Sequence, residues 1–342
     1  MMNKIKINDL TKEQLKEWLQ TLGEKPFRAK QIFSWIYRGA ESFEEMTDLS
    51  KKLRQELKDQ AEFSTLKILK VRKSKKDGTR KYLLELEDGN TIESVFMKYK
   101  YGNSICVSSQ AGCRMGCTFC ASGLNGLERN LTPGEMAGQI LTVQRDTGET
   151  INHVVVMGTG EPFDNYENLL AFLKNIHDRD GLGLSLRNLT VSTCGLIPKI
   201  EAFARDLKQV NLAVSLHSAD QKLRESMMPV SSVYPVDSLI LACRDYAEKT
   251  GRRITFEYAL VRGKTDTKEQ IRLLADKLQG MLCHVNLIPL NEVKDIGLPG
   301  SGRKQALEIA AYLESRGVPA TVRREMGADI EAACGQLRLG NQ

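Results

Sequence analysis

The segment Cys113-Arg114-Met115-Gly116-Cys117-Thr118-Phe119-Cys120 presents three thiols at Cx3Cx2C spacing. Thiolates are ready ligands of iron–sulfur clusters, and a [4Fe–4S] cube takes four ligands, so three cysteines leave one iron open to a non-protein ligand. An open iron can bind and reduce a second molecule. Zinc is the competing use of such cysteines, but structural zinc is normally closed by four ligands in paired CxxC or CxxH units, and no second pair lies nearby. Disulfide pairing fits less well: the amino terminus reads as free of a secretory signal, and eight cysteines are sparse for 342 residues.

In βα architectures the active site collects at the carboxyl ends of the strands. Apolar runs expected as strands place the triad after the first strand, Gly158-Thr159-Gly160-Glu161-Pro162 after the second, and Ser192 at the end of the third. Ser215-Leu216-His217 ends the fourth, and Asn291 follows the sixth, so these residues are expected to converge on one rim. Gly160 and Glu161 offer close backbone approach and a carboxylate able to accept hydrogen bonds from the amino group of a ligand. Ser192, Ser215 and Asn291 serve equally as helix caps, and His217 either contacts a ligand or orients its loop. Near the carboxyl terminus, Cys334 is flanked by small residues at 332, 333 and 335 that allow close approach, although an idle buried thiol is the ordinary reading of such a cysteine.

The elements that must position these groups read as follows. Residues 1–62 form a small helical module, beginning with a capping box, Thr11-Lys12-Glu13-Gln14, ahead of Leu15, Trp18, Leu19 and Leu22 at helical spacing. A second helix runs from Phe27 to Arg38 and stops at Gly39; Ser50 caps a third, whose basic face suits RNA docking or plain solvation. Residues 63–100 form an antiparallel extension, with strands at 64–73, 80–87 and 91–100 and a tight turn at Asp88-Gly89-Asn90. Residues 101–342 alternate strands at 104–109, 152–157, 188–192, 210–216, 253–260 and 283–289 with amphipathic helices, and a further strand lies near 319–323. Thr132-Pro133-Gly134-Glu135 opens the first of these helices, and 303–316 forms the last. The fold class is α/β, a partial (β/α)6 barrel.

Composition agrees. With 41% hydrophobic and 27% charged residues the chain can bury a sizeable core. No stretch approaches the roughly 20 apolar residues that span a bilayer, so a cytoplasmic location without membrane contact is expected. A formal charge of +6 suits a nucleic-acid partner without identifying one. Monomer is the default expectation.

The motifs MGTGEPFDN, STCGLIP, VSLHS, HVNLIPLN and DIEAACGQL accompany the triad, with Cys106 seven residues upstream of it and PFRAKQIFSWIYRG near the amino terminus. Together they resemble the RlmN/Cfr family of radical S-adenosylmethionine (SAM) RNA methyltransferases over nearly the whole chain. The resemblance implies a radical SAM barrel in which Cys113, Cys117 and Cys120 hold a [4Fe–4S] cluster and SAM chelates its fourth iron. It further implies SAM contacts from Gly160, Glu161, Ser192, Ser215, Leu216, His217 and Asn291.

In that family two SAM molecules serve each turnover. One methylates the cysteine that matches Cys334; the other is cleaved reductively to a 5′-deoxyadenosyl radical that takes hydrogen from this methyl group. The methylene radical then adds to adenine, and the cysteine matching Cys106 resolves the protein–RNA adduct through a transient disulfide. An amidine carbon of adenine is electrophilic, so transfer of a methyl cation would fail there and radical addition is required. Glu93 matches the base that removes the ring proton. The implied substrate is an adenine of 23S ribosomal RNA at the peptidyl transferase centre, and some members also modify the adenine beside the tRNA anticodon. Such a base must be extruded or already exposed to react. An electron donor such as flavodoxin or ferredoxin is implied as well.

Pro162 and the Arg323-Arg324-Glu325 context look like the C2-methylating branch rather than the C8-methylating, antibiotic-resistance branch. Thr159 stands where methionine is frequent, and Met326-Gly327-Ala328 where Arg-Gly-Asp is frequent. Cys194, Cys243 and Cys283 match no assigned role and read as structural thiols. A noncatalytic RNA-binding protein with a structural metal is the alternative from another class.

Overall fold

The computed structural model describes residues 4–289 and 300–332. Its strands are β1 (Ile5–Lys6), β2 (Ala61–Glu62), β3 (Lys67–Lys73), β4 (Arg80–Glu85), β5 (Thr91–Tyr99), β6 (Gly102–Val107), β7 (Gln110–Gly112), β8 (Leu127–Asn130), β9 (His153–Val156), β10 (Leu189–Thr193), β11 (Asn211–Ser215), β12 (Ile254–Leu260), β13 (Cys283–Pro289) and β14 (Ala320–Val322). Ten of them form one sheet in the order β14-β13-β12-β11-β10-β9-β6-β5-β4-β3. From β6 to β14 every pairing in this sheet is parallel, with helices in the crossovers; from β3 to β6 every pairing is antiparallel. The expected extension and the expected partial barrel therefore share a sheet, joined at β6, which pairs with β5 on one edge and β9 on the other.

The two faces of the sheet differ in chemistry. Ile105, Val154, Val156, Val191, Leu212, Val214 and Phe256 fall on one parity and are all buried in the apolar core. The opposite parity carries Cys106, Val155, Ser192, Ala213, Ser215, Glu257 and Asn286, which the register sets side by side across neighbouring strands. Side chains on a strand point alternately to the two faces, so each parallel strand offers one wall to the helices and one to the interior of the barrel.

The amino-terminal helices Lys12–Thr21, Phe27–Tyr37 and Lys51–Gln60 share the same core through Leu15, Ile32, Phe33, Ile36, Leu53 and Leu57. Both expected capping boxes form, at Thr11 with Gln14 and at Thr132 with Glu135, and Ser50 accepts from the Leu53 N–H. The module is tied down where Gly134 N–H, in the first turn of helix Pro133–Thr147, donates to Asp9 Oδ1 (3.1 Å), and where Lys12 pairs with Asp178 (2.6 Å). Two short pairs, β1 with β2 and β7 with β8, are absent from the sequence reading because two to four residues carry no periodicity. Among the described residues no helix is long and apolar enough to cross a membrane.

Candidate active site

The β7–β8 hairpin carries the cysteine loop. Gly112, at φ +80°, ends β7, and a Cβ there would stand 2.1 Å from the Gly126 carbonyl, so only glycine lets the two sides of the loop meet. Cys113 N–H donates to that same carbonyl (2.8 Å), and Thr118 N–H donates to Met227 O (2.9 Å), which pins the loop at both ends. Met115, Cys117 and Phe119 pack onto Cys194, Met227, Met228 and Val261. The three cysteines are half-buried, and burial pushes the Cys113 thiol up to about 11 and the Cys117 thiol further, so metal binding here must displace thiol protons.

All three triad cysteines line one pocket. Among the described residues no three His, Cys, Asp or Glu side chains are grouped to hold a single metal ion. The donor set fits a cluster instead, since each thiolate of a cluster takes a different iron and the thiols need not converge on one point.

Gly160, Glu161, Ser192, Ser215 and His217 line the same pocket. Gly160 sits at φ +107°, and a Cβ there would lie 2.6 Å from Gln110 Cβ and 2.8 Å from its backbone nitrogen. Gln110 in turn accepts the Glu161 N–H on Oε1 (2.8 Å). Glu161 is buried; its Oε2 accepts from Cys194 N–H (2.7 Å) and its Oε1 from Phe163 N–H (3.0 Å). Burial raises its pKa, against these hydrogen bonds. Glu161 also lines the pocket, where its carboxylate can accept from a ligand.

His217 has φ 56°, and its Nδ1 accepts the Ala259 N–H (3.0 Å). Burial, and secondarily the charge of Arg224, hold the imidazole down to about 3, so the ring is neutral with its proton on Nε2. Its edge meets Phe119 of the cysteine loop, with ring centroids 4.6 Å apart. The ring thus both packs on the cysteine loop and lines the pocket. Leu216 lies behind the wall, fully buried, with its carbonyl accepting from Arg224 Nε (3.0 Å).

Further along the interior face, Lys81, Val95, Cys106 and Val155 form one row across β4, β5, β6 and β9. Glu93, two residues before Val95, is a diagonal neighbour of Cys106, about 7 Å away in such a ladder. Glu93 is 8% exposed and is paired with Lys81 (2.8 Å), so it is an interior residue. Cys106 and Val95 pack with Met97, Val155, Met157 and Ala332. Met157 also lines the pocket of the triad, so it is shared between that pocket and the cluster around Cys106.

Ala332 is held there by the segment before it. Gly327 N–H donates to Asp77 Oδ2 (2.9 Å), Lys75 N–H to Asp329 Oδ2 (3.0 Å), and Lys81 Nζ to Glu331 O (3.0 Å). Cys334 and Asn291 lie outside the described residues.

Several pocket residues were not anticipated. Glu257 accepts from Asn286 Nδ2 (2.9 Å) and from Arg323 (3.4 Å), and an acid in the otherwise apolar run ITFEYAL was the available signal. Cys194, read only as a structural thiol, is buried but lies on the pocket wall. Cys243 and Cys283 are buried in the core. Thr159 is buried beside the glycine turn and does not line the pocket.

Comparison with known proteins places this architecture. Residues 5–63 match the ribosomal RNA large subunit methyltransferase N-terminal domain, and residues 107–278 match the radical SAM superfamily. A probable dual-specificity RNA methyltransferase RlmN of Alkaliphilus oremlandii is 52% identical over 98% of each chain. A protein of Clostridium perfringens with the same description is 52% identical over 97% of this chain and 96% of its own. The crystal structure of a radical SAM methyltransferase from Sphaerobacter thermophilus superposes with a TM-score of 0.93 at 43% identity, covering 98% of this chain and 100% of that one. The chain belongs to the RlmN family of SAM-dependent radical RNA methyltransferases.

Proposed function

We propose that the protein methylates C2 of an adenine in 23S ribosomal RNA, at the peptidyl transferase centre, and also the adenine beside a tRNA anticodon, with Cys334 as methyl carrier and Cys106 as resolving thiol. The observation that supports this reading is the packing of Ala332 and Met157 against the cluster formed by Val95 and Cys106, Met157 being also a wall residue of the triad pocket. Two residues of chain reach at most about 7 Å, so Cys334 need not travel far from Cys106.

A [4Fe–4S] cluster on Cys113, Cys117 and Cys120, with SAM on its open iron, would supply one-electron cleavage to a carbon radical, and a second SAM the methyl group. The chain's own residues do the rest. Glu161 accepts from the amino group of bound SAM, Ser192 and Ser215 offer hydroxyls, and His217 offers a neutral Nε2–H donor. Met157, Met228 and Ile288 keep that wall apolar and exclude water from a reactive carbon centre. Glu93 takes the ring proton, and Lys81 stays beside it to balance charge.

RNA would dock on the helical module and along β3, an exposed edge strand that carries Lys67, Lys70, Arg72 and Lys73 next to the segment leading to Cys334. The electron comes from a flavodoxin- or ferredoxin-type donor, and the enzyme acts as a cytoplasmic monomer. Pro162 favours C2 over C8. Anaerobic incubation with reductant, SAM and unmodified 23S RNA, followed by nucleoside mass spectrometry, should yield 2-methyladenosine. Finding 8-methyladenosine alone would overturn the regiochemistry, and a zinc-loaded protein that never cleaves SAM would overturn the enzymatic reading.

A further inference from the structure

We propose that Arg224 is the built-in counter-charge of the cluster on Cys113, Cys117 and Cys120 and sets how readily that cluster takes up an electron; this rests on the cluster reading above. Arg224 lies on the short helix Gln221–Met227 and is 0% exposed. Its Nε donates to Leu216 O (3.0 Å), and its Nη2 donates to Cys194 O (2.7 Å) and Ser215 O (3.0 Å). Nη1 has no partner among the described residues.

Every acceptor it has is thus a neutral carbonyl at the carboxyl end of β10 or β11. The ionisable groups that act on it are the thiols of Cys194, Cys117 and Cys243 and the neutral imidazole of His217. The nearby carboxylate, Glu161, is engaged instead by the backbone of Cys194 and Phe163. A guanidinium stays charged, and a buried charge without a counter-ion is strongly unfavourable, so this cation calls for an anion beside it.

The cysteine loop is the element in position to supply one. Thr118 N–H donates to the carbonyl of Met227, one turn after Arg224, and Cys117 packs in the same apolar cluster as Met227 and Met228. Metal binding converts the three thiols to thiolates. Three thiolates around a doubly positive [4Fe–4S] core leave one net negative charge, and one electron from an external reductant adds a second without a proton. In a medium of low dielectric, a fixed cation beside the cysteine loop favours the reduced state.

The test is an anaerobic redox titration with dithionite, followed by electron paramagnetic resonance, on reconstituted full-length protein without SAM. In R224Q the ratio of reduced to oxidised cluster, at the wild-type midpoint, should fall at least tenfold, equivalent to about 59 mV for one electron. R224K should restore most of the loss, and SAM binding to the oxidised cluster should change by less than about twofold. R224M, which removes charge and hydrogen bonding together, should match R224Q. A wild-type potential in R224Q, a loss that R224K does not rescue, or a loss of SAM binding alone would overturn the proposal. Failure of both neutral variants to fold would assign Arg224 to its backbone ties and would overturn it as well. A wild-type protein that assembles no iron and sulfide would instead bring down the functional reading beneath it.

Discussion

Lys81 Nζ lies 2.8 Å from Glu93 Oε1, in an ion pair whose side chains are only 8% and 10% exposed. The same ammonium donates to the carbonyl of Glu331 at 3.0 Å. One cation on β4 therefore holds both the candidate base and the segment leading to Cys334. Glu331 adopts φ 54°, a left-handed conformation unfavourable for a non-glycine residue, and the bond from Lys81 helps to hold it there.

Removal of this cation should be severe. K81M removes the cation of a buried ion pair, and breaking such a pair costs about 3–5 kcal/mol. Chemical denaturation should show that loss, and the double variant K81M/E93L should recover part of it. A single variant with a wild-type denaturation midpoint would contradict the importance of the pair.

Cys106 should be dispensable for forming the bond to RNA and necessary for breaking it. C106A is expected to accumulate protein covalently joined to RNA through Cys334, seen as a denaturation-resistant band and mapped by peptide mass spectrometry. Free methylated RNA released at the wild-type rate would rule out the resolving role.

Asp77 predicts an acid limit to the anchoring of the carboxyl-terminal segment. Burial raises its pKa, but the N–H groups of Gly327 and Thr79 outweigh this and hold it at about 2, below its ordinary 3.8. A folded pKa below the unfolded one stabilises fully above about pH 4, and that contribution disappears as pH falls toward about 2. The stability difference between wild type and D77N should be constant from neutral pH to about pH 5 and shrink below about pH 4. Denaturation midpoints across that range measure it, and a difference that grows toward acid would reverse the assignment.

Gly160 should tolerate no side chain. G160A introduces a Cβ 2.6 Å from Gln110 Cβ and 2.8 Å from its backbone nitrogen, at φ +107°. Strain of this kind costs about 1–3 kcal/mol, and relief requires the turn carrying Glu161 to move. SAM binding measured by equilibrium dialysis should weaken at least tenfold while iron content stays near wild type. Undiminished binding would show that the turn does not hold SAM.

Much of this was legible beforehand, for identifiable reasons. Both capping boxes and the glycine stops are local, because each depends on groups within four residues of one another. Short apolar runs separated by amphipathic helices foretold the parallel strands, because strands buried on both faces need such runs. The β7–β8 hairpin escaped because its pairing joins segments too short to show alternation, and the burial of Glu93 escaped because its partner Lys81 sits on another strand. Nothing near Arg224 in the sequence distinguishes it from an exposed helical arginine. Its burial follows only from the meeting of two strand ends with the cysteine loop.

The sequence by itself determined the chemistry available: three thiols with cluster spacing, a Gly-Glu turn after a strand, two further cysteines at 106 and 334, and the strands and helices that carry them. These depend on residue type and short-range periodicity, which the chain displays directly. Only the tertiary structure decided which of these groups share a wall. The register across β4, β5, β6 and β9 sets Lys81, Val95, Cys106 and Val155 in one row, and Met157 links that row to the triad pocket. Register is a property of paired strands far apart in sequence, and a slip of one residue would turn every one of these side chains to the opposite face.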